Sequence, residues 1–158
     1  MVMNKILDLF RRPAKAEHIM EDEYFGKLPM DENFNWWRGT MTLANGKTFS
    51  LTIDGLKTDE AIAEEVRNTA KFLVANEPLI RGKIAVSMSE FLHNGTWGDG
   101  DTITPEELAQ RITLTGVAFY DEGEGELFYE APDGLFTDHT ICTPIDANGE
   151  IGEPALEG

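Results

Sequence analysis

Two stretches of alternating apolar and polar residues flank the dipeptide Asn45-Gly46. Residues 35–43 and 47–53 each place apolar side chains at every second position, the period of a strand with one buried face. Asn-Gly favours a tight turn of type I′, which needs positive φ at both central residues. The pattern predicts a β-hairpin. Trp36 and Trp37 must then point to opposite faces, one into the core and the other either under the N-terminal segment or free as an interface anchor.

A helical period follows the hairpin. Apolar residues recur every three or four positions from Ile62 onward, which indicates helices with one buried face. Because proline breaks helices in their interior and is tolerated in their first turn, we expect one helix from a cap at Thr58 to residue 77 and a second from Pro78 to Asn94-Gly95. A short third helix is predicted at Thr104, with Glu107 completing a capping box.

After Arg111 the chain changes to short segments of β character, separated by turn-forming Gly, Pro and Asn residues. The predicted strands are residues 113–120, 126–130, 138–143 and 150–156. The order of elements predicts an α+β fold, in which an N-terminal β-hairpin and a C-terminal β-meander form an antiparallel sheet with a helical hairpin packed on one face. We divide the chain into a basic arm or short helix at residues 1–20 and a single α+β domain at residues 21–158.

Charged residues are distributed unevenly along the chain. The formal net charge is −16, yet the first 20 residues carry four bases and two acids. No Lys or Arg follows Arg111, whereas eleven carboxylates do. Such a field repels nucleic acid and anionic membranes and attracts a basic protein. The alternative is a surface whose acidity serves solubility alone.

No apolar run approaches the roughly 20 residues of a membrane-spanning helix, and charges interrupt the apolar N-terminal stripe that a signal peptide would need. We therefore expect a cytoplasmic protein that does not insert into membranes. The oligomeric state is not determined by these features.

Few residues suggest catalysis. The single cysteine, Cys142, excludes an internal disulfide. In an extended strand Cys142 and His139 would lie on opposite faces, so they would not form a nucleophile–base pair. The histidines lack metal-ligand spacing, and the acidic loops at residues 98–101 and 146–150 lack the twelve-residue calcium pattern. We therefore predict no catalytic residue, no metal site and no cofactor.

Two sets of residues remain as candidate sites. The first is an acidic surface for a partner: Asp121, Glu122, Glu124, Glu126, Glu130 and Asp133. The second is a possible pocket: His93, Trp97 and His139.

Several motifs resemble a bacterial family known as a domain of unknown function. The resemblance runs from Trp37 to Gly158 and rests on the Trp37-Arg38-Gly39 hairpin, on residues 94–97 (Asn-Gly-Thr-Trp), on the tail 135–141 (Leu-Phe-Thr-Asp-His-Thr-Ile), on residues 146–149 and on the closing residues 155–158. It implies the fold class and no particular activity. Small acidic domains of this kind also include immunity proteins, which inhibit toxins encoded beside them.

Three functions follow as hypotheses. The leading one is a non-enzymatic module, such as an immunity protein, that binds a cationic partner through the acidic C-terminal half. The alternative is an enzyme with a hydrolytic or transferase site near His139 or near His93 and Trp97. A third is a structural subunit of an oligomer, joined through a strand edge or the N-terminal arm.

Overall fold

The computed structural model describes residues 18–54, 61–94 and 103–158, which form eight strands, two α-helices and a 3₁₀ turn at Asp121–Gly123. The predicted arm up to residue 17, the cap at Thr58, Trp97 and the loop at residues 98–101 lie outside the described residues. The strands and helices are, in chain order, β1 (Ile19–Asp22), β2 (Gly26–Asp31), β3 (Trp36–Thr42), β4 (Thr48–Ile53), α1 (Glu64–Asn94), α2 (Pro105–Arg111), β5 (Thr113–Phe119), β6 (Gly125–Glu130), β7 (Thr140–Ile145) and β8 (Ala155–Glu157).

All eight strands belong to one sheet and lie in chain order across it. Every neighbouring pair is antiparallel except β4 and β5, which are parallel. A parallel pair needs a long crossover connection, and α1 and α2 lie in that connection. The α+β class and the mostly antiparallel sheet are confirmed.

The hairpin β1–β2 was not predicted. Asp22 closes its turn, because its carboxylate accepts hydrogen bonds from the backbone N–H groups of Tyr24 and Phe25. The same carboxylate lies 2.6 Å from the Arg67 guanidinium of α1. Burial by itself would raise the pKa of Asp22, but Arg67 and the two amides outweigh it and lower that pKa. A partly buried ion pair therefore ties the hairpin to α1.

The β3–β4 hairpin forms as predicted, with a different turn. Leu43 donates its N–H to the carbonyl of Lys47 and accepts from Gly46. Of the three loop residues, only Gly46 takes a positive φ, of 84°. This is a type I turn closed by a glycine bulge, so the prediction of a type I′ turn is wrong. Both turns suit the right-handed twist of the strands.

The predicted break at Pro78 is wrong, because α1 runs through it for 31 residues. Pro78 removes one backbone hydrogen bond, at a cost of about 3 kcal/mol in a helix interior. Leu73, Ile80 and Ile84 are buried in the same core on either side of it, and burying each contributes roughly 1.5–3 kcal/mol. Continuous packing therefore outweighs the defect, and one long helix replaces the predicted helical hairpin.

The C-terminal elements occur in the predicted order, but β8 covers only Ala155–Glu157, so the prediction of a strand over residues 150–156 is wrong in its start. Thr104 and Glu107 form the expected capping box at the start of α2. Strand β7 begins at Thr140, so the prediction that it starts at residue 138 is wrong. Residues 136–139 instead form turns closed by backbone hydrogen bonds, in which Thr137 has a φ of +54°.

The core lies between the sheet and the helices. Trp37, Leu51, Phe119 and Leu127, at alternating strand positions, form one buried cluster with residues of α1 and α2. Trp36 points to the opposite sheet face, where it stacks on Phe34 with ring centroids 4.8 Å apart. No described helix is long and apolar enough to cross a membrane.

Candidate functional site

The sheet face opposite the helices, which we call the open face, carries a groove near the C-terminal strands. The groove has a volume of about 650 Å³ and runs beside β6, β7 and β8. Six carboxylates line it, whereas no Lys, Arg or His does so among the described residues. We call it the acidic groove, and its carboxylates are Glu124, Glu126, Asp146, Glu150, Glu153 and Glu157.

The chain after β7 folds back to form one wall of the acidic groove. Asp146 accepts hydrogen bonds from the backbone of Asn148 and Glu150, which closes the turn. Gly152 then donates to the carbonyl of Pro144 at 2.8 Å, and a Cβ at this position would lie 2.5 Å from the Pro144 ring. Glycine therefore permits the close approach that holds this wall, and with it Glu150 and Glu153, against β7.

Three donor side chains converge on the floor of the acidic groove. Glu126, Cys142 and Glu157 lie on β6, β7 and β8, and their ligand atoms are all within 4.8 Å of one another. Burial, with Glu157 and then Glu126 adding to it, raises the pKa of the Cys142 thiol to about 12. Without a cation the thiol is therefore protonated at neutral pH. Two carboxylates and a thiol are a donor set that could hold a divalent metal ion, which would displace the thiol proton.

A second cavity adjoins the acidic groove on the open face. It has a volume of about 290 Å³, and three aromatic side chains contribute to its walls: Trp36, Tyr120 and Phe128. Tyr120 lines both cavities. Burial raises the pKa of the Tyr120 hydroxyl, and the negative charges of Glu126 and Asp54 raise it further. The junction of the two cavities is thus a region of negative potential.

The predicted acidic surface is distributed over the C-terminal half. Glu124 and Glu126 line the acidic groove, and Glu122 is exposed in the 3₁₀ turn that begins at Asp121. Asp133 forms an ion pair with Arg111, which lowers the pKa of Asp133. Glu130 lines a different cavity, beside His139.

The cavity at His139 has a volume of about 390 Å³, and Glu130 and Asp138 also line it. His139 Nδ1 lies 3.0 Å from the Thr137 hydroxyl and 3.1 Å from the Phe136 carbonyl. Since a carbonyl only accepts, the contact with Phe136 favours the tautomer with the proton on Nδ1, which cannot take a proton from Thr137. The predicted partner His93 is exposed at the end of α1 and is not among the residues lining this cavity.

Sequence reasoning selected two of the six carboxylates of the acidic groove. It selected Glu124 and Glu126, and it considered residues 146–150 only as an acidic loop without the calcium-binding pattern. It did not select Trp36, Tyr120, Phe128 or Cys142 as neighbours. The available signal was the alternation within β6 and β7, which places Glu126, Phe128 and Cys142 on one sheet face once their register is known.

Comparison with known proteins gives one match. No curated protein and no solved structure matches the chain. A family of uncharacterised proteins conserved in bacteria, DUF2262, matches residues 22–156. This span contains nearly all of the sheet, both helices and every carboxylate of the acidic groove except Glu157. The chain therefore belongs to the DUF2262 family of bacterial proteins.

Proposed function

We propose that this domain is a non-enzymatic binding module whose acidic groove receives a basic protein partner in the cytoplasm. The observation that carries the proposal is the convergence of six carboxylates in one concave surface whose described lining contains no base. Such a field speeds and orients the approach of a cationic surface, because the charges act before contact is made. The lone cysteine is in keeping with a reducing compartment.

A toxin that cleaves nucleic acid is one partner with the required chemistry, since its cleft must be basic to hold a phosphate backbone. An immunity protein that blocks such a cleft would present a surface of the opposite sign to it. The acidic groove has this character, and Glu122, two residues before Glu124 in the chain, is also exposed.

The proposal is tested by capture and then by kinetics. Tagged domain would retain a basic protein from a host lysate at low salt, and mass spectrometry would identify it. The rate of association of the purified pair would then be compared for wild type and a groove variant, Glu124→Gln/Glu150→Gln/Glu153→Gln, whose three side chains are exposed. We expect association to slow about 10-fold at low salt and the difference to vanish at high salt.

The matched control is Glu23→Gln/Glu90→Gln/Glu106→Gln, which removes the same charge from exposed positions away from the acidic groove. It should slow association much less. Equal slowing by the two triple variants would show that only net charge matters and would contradict the proposal.

An enzyme centred on His139 is the alternative. The cavity with Glu130 and Asp138 supports it, whereas the contact of His139 Nδ1 with the Phe136 carbonyl argues against Thr137 as its nucleophile. Slower association of the partner with the groove variant, with His139→Gln associating at the wild-type rate, would favour the binding module over this alternative.

A further inference from the structure

The cavity beside the acidic groove has the composition of a site for one side chain. We call it the aromatic pocket, and Trp36, Tyr120 and Phe128 are its rings. These residues lie on β3, at the end of β5 and on β6, while the intervening positions Thr52 and Ala118 are small and pair with each other in register. Large side chains around small ones leave a depression of about 290 Å³ in the open face.

The walls of the aromatic pocket favour a positive charge. Aromatic rings present negative faces to a cation, and Asp54 lies among the lining residues. The Tyr120 hydroxyl lies 3.5 Å from a carboxylate oxygen of Glu126, so a second carboxylate stands at the mouth of the pocket. None of the described lining residues is Lys, Arg or His.

The shape and polarity of the aromatic pocket distinguish between cationic groups. A guanidinium is planar, weakly hydrated and stacks on aromatic faces, whereas an ammonium is compact and strongly hydrated. A pocket with three rings and a flanking carboxylate therefore suits arginine better than lysine. Because Tyr120 belongs to both cavities, a basic segment in the acidic groove can place one side chain here.

We propose that the aromatic pocket anchors an arginine side chain of the basic partner, with the guanidinium stacked against Trp36, Tyr120 or Phe128 and paired with the carboxylates of Asp54 and Glu126. This inference rests on the proposed function and adds to it the identity of the anchoring residue. The acidic groove supplies the long-range attraction for a basic segment, and the aromatic pocket supplies the preference for arginine over lysine.

Two blocked peptides of equal charge test the inference: acetyl-Gly-Arg-Gly-Arg-Gly-amide and its lysine counterpart. Binding to the full chain would be measured by calorimetry and by shifts of the tryptophan indole N–H signals in NMR spectra. We expect the arginine peptide to bind about 5- to 10-fold more tightly than the lysine peptide.

Phe128→Leu keeps an apolar side chain and removes the ring, and Tyr120→Leu does the same at the junction. Both should reduce the preference for arginine to under about 2-fold. Phe91→Leu is the control, since Phe91 is an exposed aromatic residue of α1, and it should leave the preference unchanged. Thermal melting would verify that each variant is folded.

The outcomes separate this inference from the proposed function. Equal binding of the two peptides, weakened by the groove variant, would overturn the arginine anchor and leave the acidic groove as a cation-binding surface. An arginine preference that survives Phe128→Leu and Tyr120→Leu would also overturn the anchor. Absence of binding by either peptide at low salt would contradict both proposals.

Discussion

At the scale of single residues, the surroundings of a side chain decide its chemistry. Cys142 occupies an ordinary strand position, and its identity by itself indicates a small core residue. The structure places it on the open face, buried, between the carboxylates of Glu126 and Glu157. Those neighbours come from different strands, so no residue near Cys142 in the sequence indicates that they lie beside it.

The thiol of Cys142 should react slowly with alkylating reagents, because burial and the two glutamates raise its pKa to about 12 and the thiolate is the reactive form. We expect the rate of reaction with iodoacetamide at about pH 8 to be at least 100-fold below that of free cysteine. Glu157→Gln removes a negative neighbour and should lower the pKa and speed the reaction. A wild-type rate close to that of free cysteine would contradict this prediction.

At the scale of elements, local sequence signals predicted where α2 begins and where the β3–β4 turn lies, but they did not predict that α1 is continuous. The capping box at Thr104 and the glycine turn after Leu43 depend on residues within four positions of each other, and sequence reasoning found both sites. The break at Pro78 also follows a local rule, yet α1 continues through it. The burial of α1 against the sheet depends on residues far away in sequence, and it outweighs the local rule.

Pro78→Ala should stabilise the protein, because it restores a backbone N–H to the interior of α1. Pro78 is exposed, so no core contact is lost. After allowing for the stiffening of the unfolded chain by proline, we expect a gain of about 1–2 kcal/mol in the free energy of unfolding, measured by urea denaturation.

Ser87→Ala, at an exposed position of the same helix, is the control and should change stability by less than about 0.5 kcal/mol. No gain from Pro78→Ala beyond that of the control would indicate that the helix is interrupted at residue 78.

At the scale of the whole molecule, the parallel pair β4–β5 determines how the two predicted β regions meet. The hairpin and the meander become one sheet only because β5 returns beside β4 after the helices. This joins Trp36 and Thr52 from the first region to Tyr120 and Phe128 from the second in the aromatic pocket. The candidate site is therefore a product of the complete sheet.

The acidic groove should reduce stability, since its six carboxylates repel one another with no described base among them. The groove variant should be more stable than wild type by about 0.5–1 kcal/mol at low salt, with the difference shrinking at about 0.5 M NaCl. Urea midpoints at the two salt concentrations measure this. The triple variant at Glu23, Glu90 and Glu106 should gain less, and an equal gain would contradict a specific role for the acidic groove.

Local patterns in the sequence predicted the fold class, the β3–β4 hairpin, the cap of α2 and the placement of Trp36 and Trp37 on opposite sheet faces. Each of these follows from the period of side chains or from hydrogen bonds between near neighbours in the chain. The parallel pairing of β4 with β5, the continuity of α1 and the convergence of Glu126, Cys142 and Glu157 became apparent only in the folded protein. These depend on strand register and on packing between distant segments, whose free energies arise only once the sheet and helices are in contact.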